Sequence, residues 1–131
     1  ILIRTAFETE DFGIVGDLRW TGGSPADDTA MFFSLGVGAR WFLLDTSASP
    51  FLGVGMGWSA LGVDTSGFDG AQHGLGGWVE VGLEVLRFYE TRLSIDLRAE
   101  LPFYEVSAHG WNDNPDSRYY VPLTLGVAYM W

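Results

Sequence analysis

The sequence predicts an all-β chain: a transmembrane antiparallel up-and-down β-barrel of about eight strands, with seven strands visible in residues 1–131. Three observations carry that expectation. Apolar residues alternate with small or polar ones almost from end to end, the period-two signature of strands with unlike faces. The apolar face is bulky, whereas the other is Gly, Ser, Ala and Thr with isolated charges. A soluble sandwich or lipocalin turns its apolar face inward and needs a well-solvated outer face. The small face here suits instead the narrow interior of a small barrel, leaving the bulky face for lipid. Finally, the uncharged stretches Pro50–Val63 and Tyr119–Trp131 are broken by glycine or proline. Both fall short of the ~20 apolar residues that a membrane helix needs.

Strands are expected at residues 1–8, 12–20, 30–44, 51–64, 74–88, 92–106 and 118–131. In the third, Phe33, Leu35, Val37, Ala39 and Trp41 alternate with Ser34, Gly36, Gly38 and Arg40. In the fourth, Leu52, Val54, Met56 and Trp58 alternate with Gly53, Gly55, Gly57 and Ser59. Those glycines have no helix after them, so they are not a dinucleotide-binding loop. The fifth contains Val79, Val81, Leu83 and Val85, which is strand spacing rather than a helical stripe. The sixth sets Leu93, Ile95, Leu97, Ala99, Leu101 and Phe103 against Ser94, Asp96, Arg98, Glu100, Pro102 and Tyr104. The last is the clearest, with Val121, Leu123, Leu125, Val127, Tyr129 and Trp131 on one face. The connections alternate between short links (45–50, 90–92) and longer polar ones (21–28, 66–72, 109–117), as membrane barrels alternate periplasmic turns with external loops. Trp20, Trp41, Trp58, Tyr129 and Trp131 on the apolar face form an expected aromatic girdle.

The terminal strand resembles that of bacterial outer-membrane proteins, in which an aromatic last residue preceded by alternating hydrophobics is the assembly signal. Leu123, Leu125, Val127, Tyr129 and Trp131 carry the match, with tryptophan where the family more often has phenylalanine. Over nearly the whole chain the pattern is similar to small barrels of the OmpA or OmpX type. That likeness implies residence in the outer membrane of a Gram-negative bacterium, contact with membrane lipid and lipopolysaccharide, and handling by the barrel assembly machinery. Residues 1–131 form a single barrel domain in this reading. Because bacterial single-chain barrels have an even strand count, one further strand is expected before Ile1. Membership of a larger barrel is the alternative.

Placing the strands turns Arg4, Asp17, Arg19, Arg40, Glu80, Glu84, Asp96, Arg98 and Glu100 inward. In a narrow lumen four arginines and five carboxylates must pair, since isolated buried ions are costly. An ion-pair plug is expected, with a gate or a catalytic carboxylate pair as alternatives. Asp96 and Glu100 stand four residues apart, about 13 Å along a strand, too far for a retaining glycosidase pair. Glu80 and Glu84 share that spacing. His73 and His109 are the only histidines and lack the partners of a metal site, and the chain contains no cysteine. Ser107 near His109 is the one local nucleophile–base candidate, without an evident activating acid. The segment 111–117 lacks the glycine and distal glutamate of a calcium loop and reads as an Asx/Pro turn. Trp111 is a candidate binding residue at its tip. The loop acids Asp27, Asp28, Asp64, Asp69, Asp113 and Asp116 either bridge through cations to lipopolysaccharide phosphates or keep the surface solvated.

The formal net charge of −10 excludes a phosphate-reading surface, so no nucleic-acid partner is expected. Seven arginines supply all the basic charge and lysine is absent, unusual for a surface facing water. No catalytic residue, metal or cofactor is expected. The function indicated is a non-enzymatic barrel with a packed polar interior, serving as a structural anchor or accessory subunit whose external loops meet a protein partner. A small-solute pore and a soluble lipocalin-like binding barrel are the alternatives.

Overall fold

A computed structural model describes residues 1–23, 29–65, 68–107 and 117–130. The described residues contain no helix. Their strands are β1 (Leu2–Glu8), β2 (Phe12–Gly23), β3 (Thr29–Phe42), β4 (Ala48–Thr65), β5 (Phe68–Val85), β6 (Arg92–Pro102), β7 (Val106–Ser107), β8 (Ser117–Arg118) and β9 (Leu123–Met130). Seven of them form one antiparallel sheet in the order β1-β2-β3-β4-β5-β6-β9, while β7 and β8 pair separately. The up-and-down sheet curls into a half-barrel whose outer strands, β1 and β9, face each other across a seam.

Register decides which face goes inside, because a slip of one residue would invert every side chain. The ladders align Val15 with Gly38, Gly38 with Gly55, Gly55 with Trp78 and Trp78 with Glu100, all on the concave face. The neighbouring row runs Gly13, Arg40, Gly53, Glu80, Arg98 and Thr124. The large aliphatic residues therefore point outward: Val37 is 61% exposed, Val54 57% and Leu125 74%. This is the reverse of a lipocalin, whose apolar residues line the inside.

Several strand limits differ from those expected. The polar stretch 66–72 is mostly strand, because β4 and β5 continue their ladder to Thr65 and Phe68. Cross-strand pairing of Gly62 with Ala71 and Val63 with Gly70 outweighs the weak strand preference of the local sequence. For the same reason β2 extends to Gly23, paired with Ala30. The segment 118–131 is not one strand: β9 begins at Leu123, after Pro122, whose missing N–H cannot donate to the ladder. β6 ends at Pro102.

Three connections close the short-turn end, at residues 9–11, 43–47 and 86–91. The β1–β2 turn is held by Thr9, whose backbone N–H (2.7 Å) and hydroxyl (3.0 Å) both donate to the Phe12 carbonyl. At the opposite end the β6–β9 connection carries the β7–β8 pair. There Phe32, Leu61, Val63 and Val106 form a buried apolar cluster with Tyr120 packed against it. The concave face is thus not polar throughout; it becomes apolar where the long connection folds over it.

Candidate functional site

The concave face brings the inward charges together in one network. Arg98, fully buried, sits at its centre. Its Nε and Nη2 donate to Glu80 Oε2 at 3.1 and 2.9 Å, and Nη1 donates to Asp17 Oδ1 at 3.0 Å. A further bond joins Nη2 to Asp17 Oδ2. Arg40 donates from Nε to the other Glu80 oxygen at 2.7 Å. Arg4 reaches from β1 to Asp96 (3.0 Å), Ser94 (3.0 Å) and Asp17 (3.1 Å). Arg19 donates to Asp96, and to Thr124 at 3.1 Å. Glu80 therefore faces Arg4, Arg19, Arg40 and Arg98 together. Sharing each carboxylate among several guanidiniums is what lets so many ions remain buried without isolated charge.

The remaining predicted charges lie at the two ends of this core. Toward the long-connection end, Glu100 accepts from Ser34 Oγ at 3.2 Å and faces Arg98 Nη1 at 3.6 Å. Toward the short turns, fully buried Glu84 stands 3.6 Å from Arg40 and 3.8 Å from Arg92, at ion-pair rather than hydrogen-bond distance. Arg92 also pairs with Glu8, bridging the two acids. Glu8 and Arg92 were not among the expected interior charges. Both lie in phase with the charges already assigned, Glu8 with Arg4 and Arg92 with Asp96, but at strand ends, where alternation is hardest to read.

Aromatic side chains inside the curve were also missed. Arg98 lies 3.7 Å over the Trp78 ring and Arg40 lies 4.0 Å over Phe51. The flat guanidiniums stack while their edges hydrogen-bond, a combination lysine cannot make. The available signal was phase: Trp78 is in step with Glu80 and Glu84, not with Val79 and Val81. Glycines make the room. A Cβ on Gly38 or Gly55 would overlap the Trp78 ring, and one on Gly53 would lie 2.6 Å from Glu80 Cγ.

Arg87, which alternation assigns to no site, closes the short-turn end. Buried, it stacks 3.6 Å over Phe42 and donates to the carbonyls of Leu44 (3.2 Å), Thr9 (3.2 Å) and Glu10 (2.8 Å). One side chain thereby ties together all three short connections. Replacing Arg87 with Ala leaves these carbonyls without a charged donor and removes the stack. A loss of about 2–4 kcal/mol is expected, read as a lowered midpoint in urea unfolding.

The other predicted residues fall as follows. Trp20, Trp41, Trp58 and Tyr129 stand exposed on the convex face, as do Leu123, Leu125 and Val127 of β9; Trp131 lies outside the described residues. His73 is a strand residue. It lies in β5 on the convex face with its ring 5.3 Å from that of Trp58, beside a shallow apolar groove of about 510 Å³ lined also by Trp20, Phe33 and Ala71. Ser107 lies in β7, whereas His109, Trp111 and residues 112–116 lie outside the described residues, as do Asp27 and Asp28. Ser117, the last residue of that segment, donates to Glu105 at 2.6 Å. Asp64 and Asp69 face each other across the β4–β5 ladder, both exposed. Among the described residues no group of three or more His, Cys, Asp or Glu is placed to hold a metal ion.

Comparison with protein-family models, curated proteins and solved structures returns no match.

Proposed function

We propose that this chain is a non-enzymatic integral barrel of a Gram-negative outer membrane, OmpA- or OmpX-like in plan, whose interior is plugged by ion pairs. Its work is that of a structural anchor or accessory subunit, with the external loops meeting a partner. The observation that carries this is the inversion of faces. Guanidiniums and carboxylates fill the concave side, while the convex side is a continuous belt of exposed Leu, Val, Ile, Met and Trp from β2 to β9. Monomeric soluble proteins rarely leave so large an apolar surface open to water. In a bilayer that belt is the favoured outer face, bounded by Trp41 toward the short turns and Trp20 toward the long loops.

The plug follows from filling. Trp78, Phe51 and the arginine side chains occupy the space between the two ends, with Arg87 across one and the Phe32–Leu61–Val63–Val106 cluster across the other. A carboxylate acting as acid or base needs an approach for its substrate. Here each central carboxylate is enclosed by its guanidinium partners.

The test is fractionation followed by gel migration in detergent with and without boiling. The expected result is recovery from membranes and a shift on boiling, the behaviour of a closed detergent-resistant barrel. Recovery in the soluble fraction with no shift overturns the proposal. Planar-bilayer recording of the same material is expected to show no steady conductance; stable channels would replace the plug by a small-solute pore.

A further inference from the structure

The charges inside the curve do not balance. Of the seven arginines, Arg87 is engaged by the turn carbonyls and Arg118 lies on β8 at the far end. The other five face six carboxylates, those of Glu8, Asp17, Glu80, Glu84, Asp96 and Glu100. An ionised carboxylate left over in such a space is costly unless a proton or a cation joins it.

The unmatched acid is Glu84. Asp17, Glu80 and Asp96 each accept from at least two guanidiniums, and Glu100 accepts from Ser34. Glu8 Oε2 accepts from Arg92. Glu84 is fully buried, yet both of its oxygens lack a hydrogen-bond partner among the described residues. The only other buried carboxylate oxygen so placed is Oε1 of Glu8. The two carboxyl groups lie within hydrogen-bonding reach of each other, and Arg92 Nη1 stands beside both. The other charge facing them is Arg40 on β3, already bonded to Glu80. Arg4, on the same face of β1, is committed to Asp17 and Asp96. The ladder neighbours do not titrate: Ser49 on β4 and Ser94 on β6 for Glu84, and Gly13 on β2 for Glu8, with Ala128 next on β9. The Arg92 side chain is one-third exposed, beside a cavity of about 500 Å³ that also reaches Glu90, so water and protons have a way in.

We propose that Glu8 and Glu84 hold one proton between them at neutral pH, in a carboxyl–carboxylate hydrogen bond that clasps β1 to β5 and opens in alkali. Two ionised carboxylates face to face have no donor to offer each other, whereas one protonated acid donates its O–H to the other. Glu8 Oε2 stays with Arg92, so the shared proton lies between Glu8 Oε1 and a Glu84 oxygen. The proton comes from solvent and returns there, and the pair titrates as a unit. The bond matters to the edge of the sheet. β1 has a ladder only to β2, and the acid pair ties its last residue to a strand three places further round. Removing the proton replaces that tie with repulsion between like charges. This follows from the interior alone and holds whether the convex face meets lipid or water.

Infrared spectroscopy of the purified protein at neutral pH reads the proton directly, because a protonated carboxyl group absorbs apart from carboxylates. The expected spectrum contains that band, and Glu84→Gln and Glu8→Gln each remove it, since either acid alone beside Arg92 ionises. Absence of the band from the unsubstituted protein, or its survival in either variant, overturns the proposal; a water bridging two ionised acids gives the first of these results. Urea unfolding supplies a second readout. Unfolded glutamates ionise near pH 4.3, so the folded pair keeps a proton that the unfolded chain has lost, and stability falls as pH rises. Between about pH 5 and about pH 8 the midpoint of the unsubstituted protein is expected to fall more steeply than that of Glu84→Gln, whose amide donates to Glu8 without titrating. Equal slopes overturn the proposal. So does a midpoint raised by sodium or calcium at constant ionic strength in the unsubstituted protein but not in Glu84→Gln, which would put a metal cation between the acids.

Discussion

Replacing Arg98 with Ala is expected to cost about 3–5 kcal/mol of stability, the usual penalty for breaking a buried ion pair from one side. The size comes from what remains rather than from what is lost. Asp17 keeps Arg4 and Arg19, and Glu80 keeps Arg4, Arg19 and Arg40, but the guanidinium that hydrogen-bonds both carboxylates is gone. Two acids are left closer to uncompensated, in a space where an unpaired charge has no water to turn to. The Trp78 ring also loses the cation that covers it. Urea unfolding of the purified protein, followed by gel migration without boiling, gives the measurement. Adding Asp17→Asn to the Arg98→Ala variant removes one of the stranded charges, so the double variant is expected to recover about 1–2 kcal/mol. No recovery, or a single-variant loss below about 1 kcal/mol, would mean that the network is solvated and the interior wet.

Such a network was visible in the sequence because its members keep step. Asp96, Arg98 and Glu100 alternate with Ile95, Leu97 and Ala99, and Glu80 and Glu84 alternate with Val79, Val81 and Leu83. A strand with one charged and one greasy face has only two ways to lie, and the small residues on the charged face choose the inner one. What alternation cannot carry is an apolar residue on the small face. Val15, Phe42, Phe51 and Trp78 look like extra hydrophobics, and only the ladders show that they sit among the charges. Leu61 and Val63 are the plainest example. On β4 the outward series Leu52, Val54, Met56 and Trp58 continues as Ala60 and Gly62, so the apolar residues change faces where β7 covers the interior. Arg87 was illegible for another reason: it follows β5 in a turn where Leu86 takes a left-handed φ of 62°, and turns carry no period. The start of β5 was hidden because Asp69, Gly70 and Gln72 resist strand formation individually. Pairing with β4 overrides them, and pairing is not a local property of sequence.

The Trp78 site sets the second large effect. Its indole lies across β3 and β4 where Gly38 and Gly55 oppose each other, with Arg98 stacked on the ring. Glycine is required at both positions for space, not for backbone angle. A side chain at Gly55 would overlap the ring and stand 2.6 Å from the Val37 carbonyl; one at Gly38 would overlap it and stand 2.5 Å from the Val54 carbonyl. Gly55→Val is therefore expected to cost at least the 1–3 kcal/mol typical of an overpacked core. Trp78→Ala should cost about 3–5 kcal/mol by leaving a cavity under Arg98. The informative result is their coupling. With Trp78 shortened to Ala, the ring clash at Gly55 disappears and the carbonyl contact stays. Gly55→Val should then cost at least about 1 kcal/mol less than in the parent. A double-mutant cycle in urea measures this directly. If the two losses simply add, the glycines answer to the neighbouring backbone alone, and the ring is not what keeps them small.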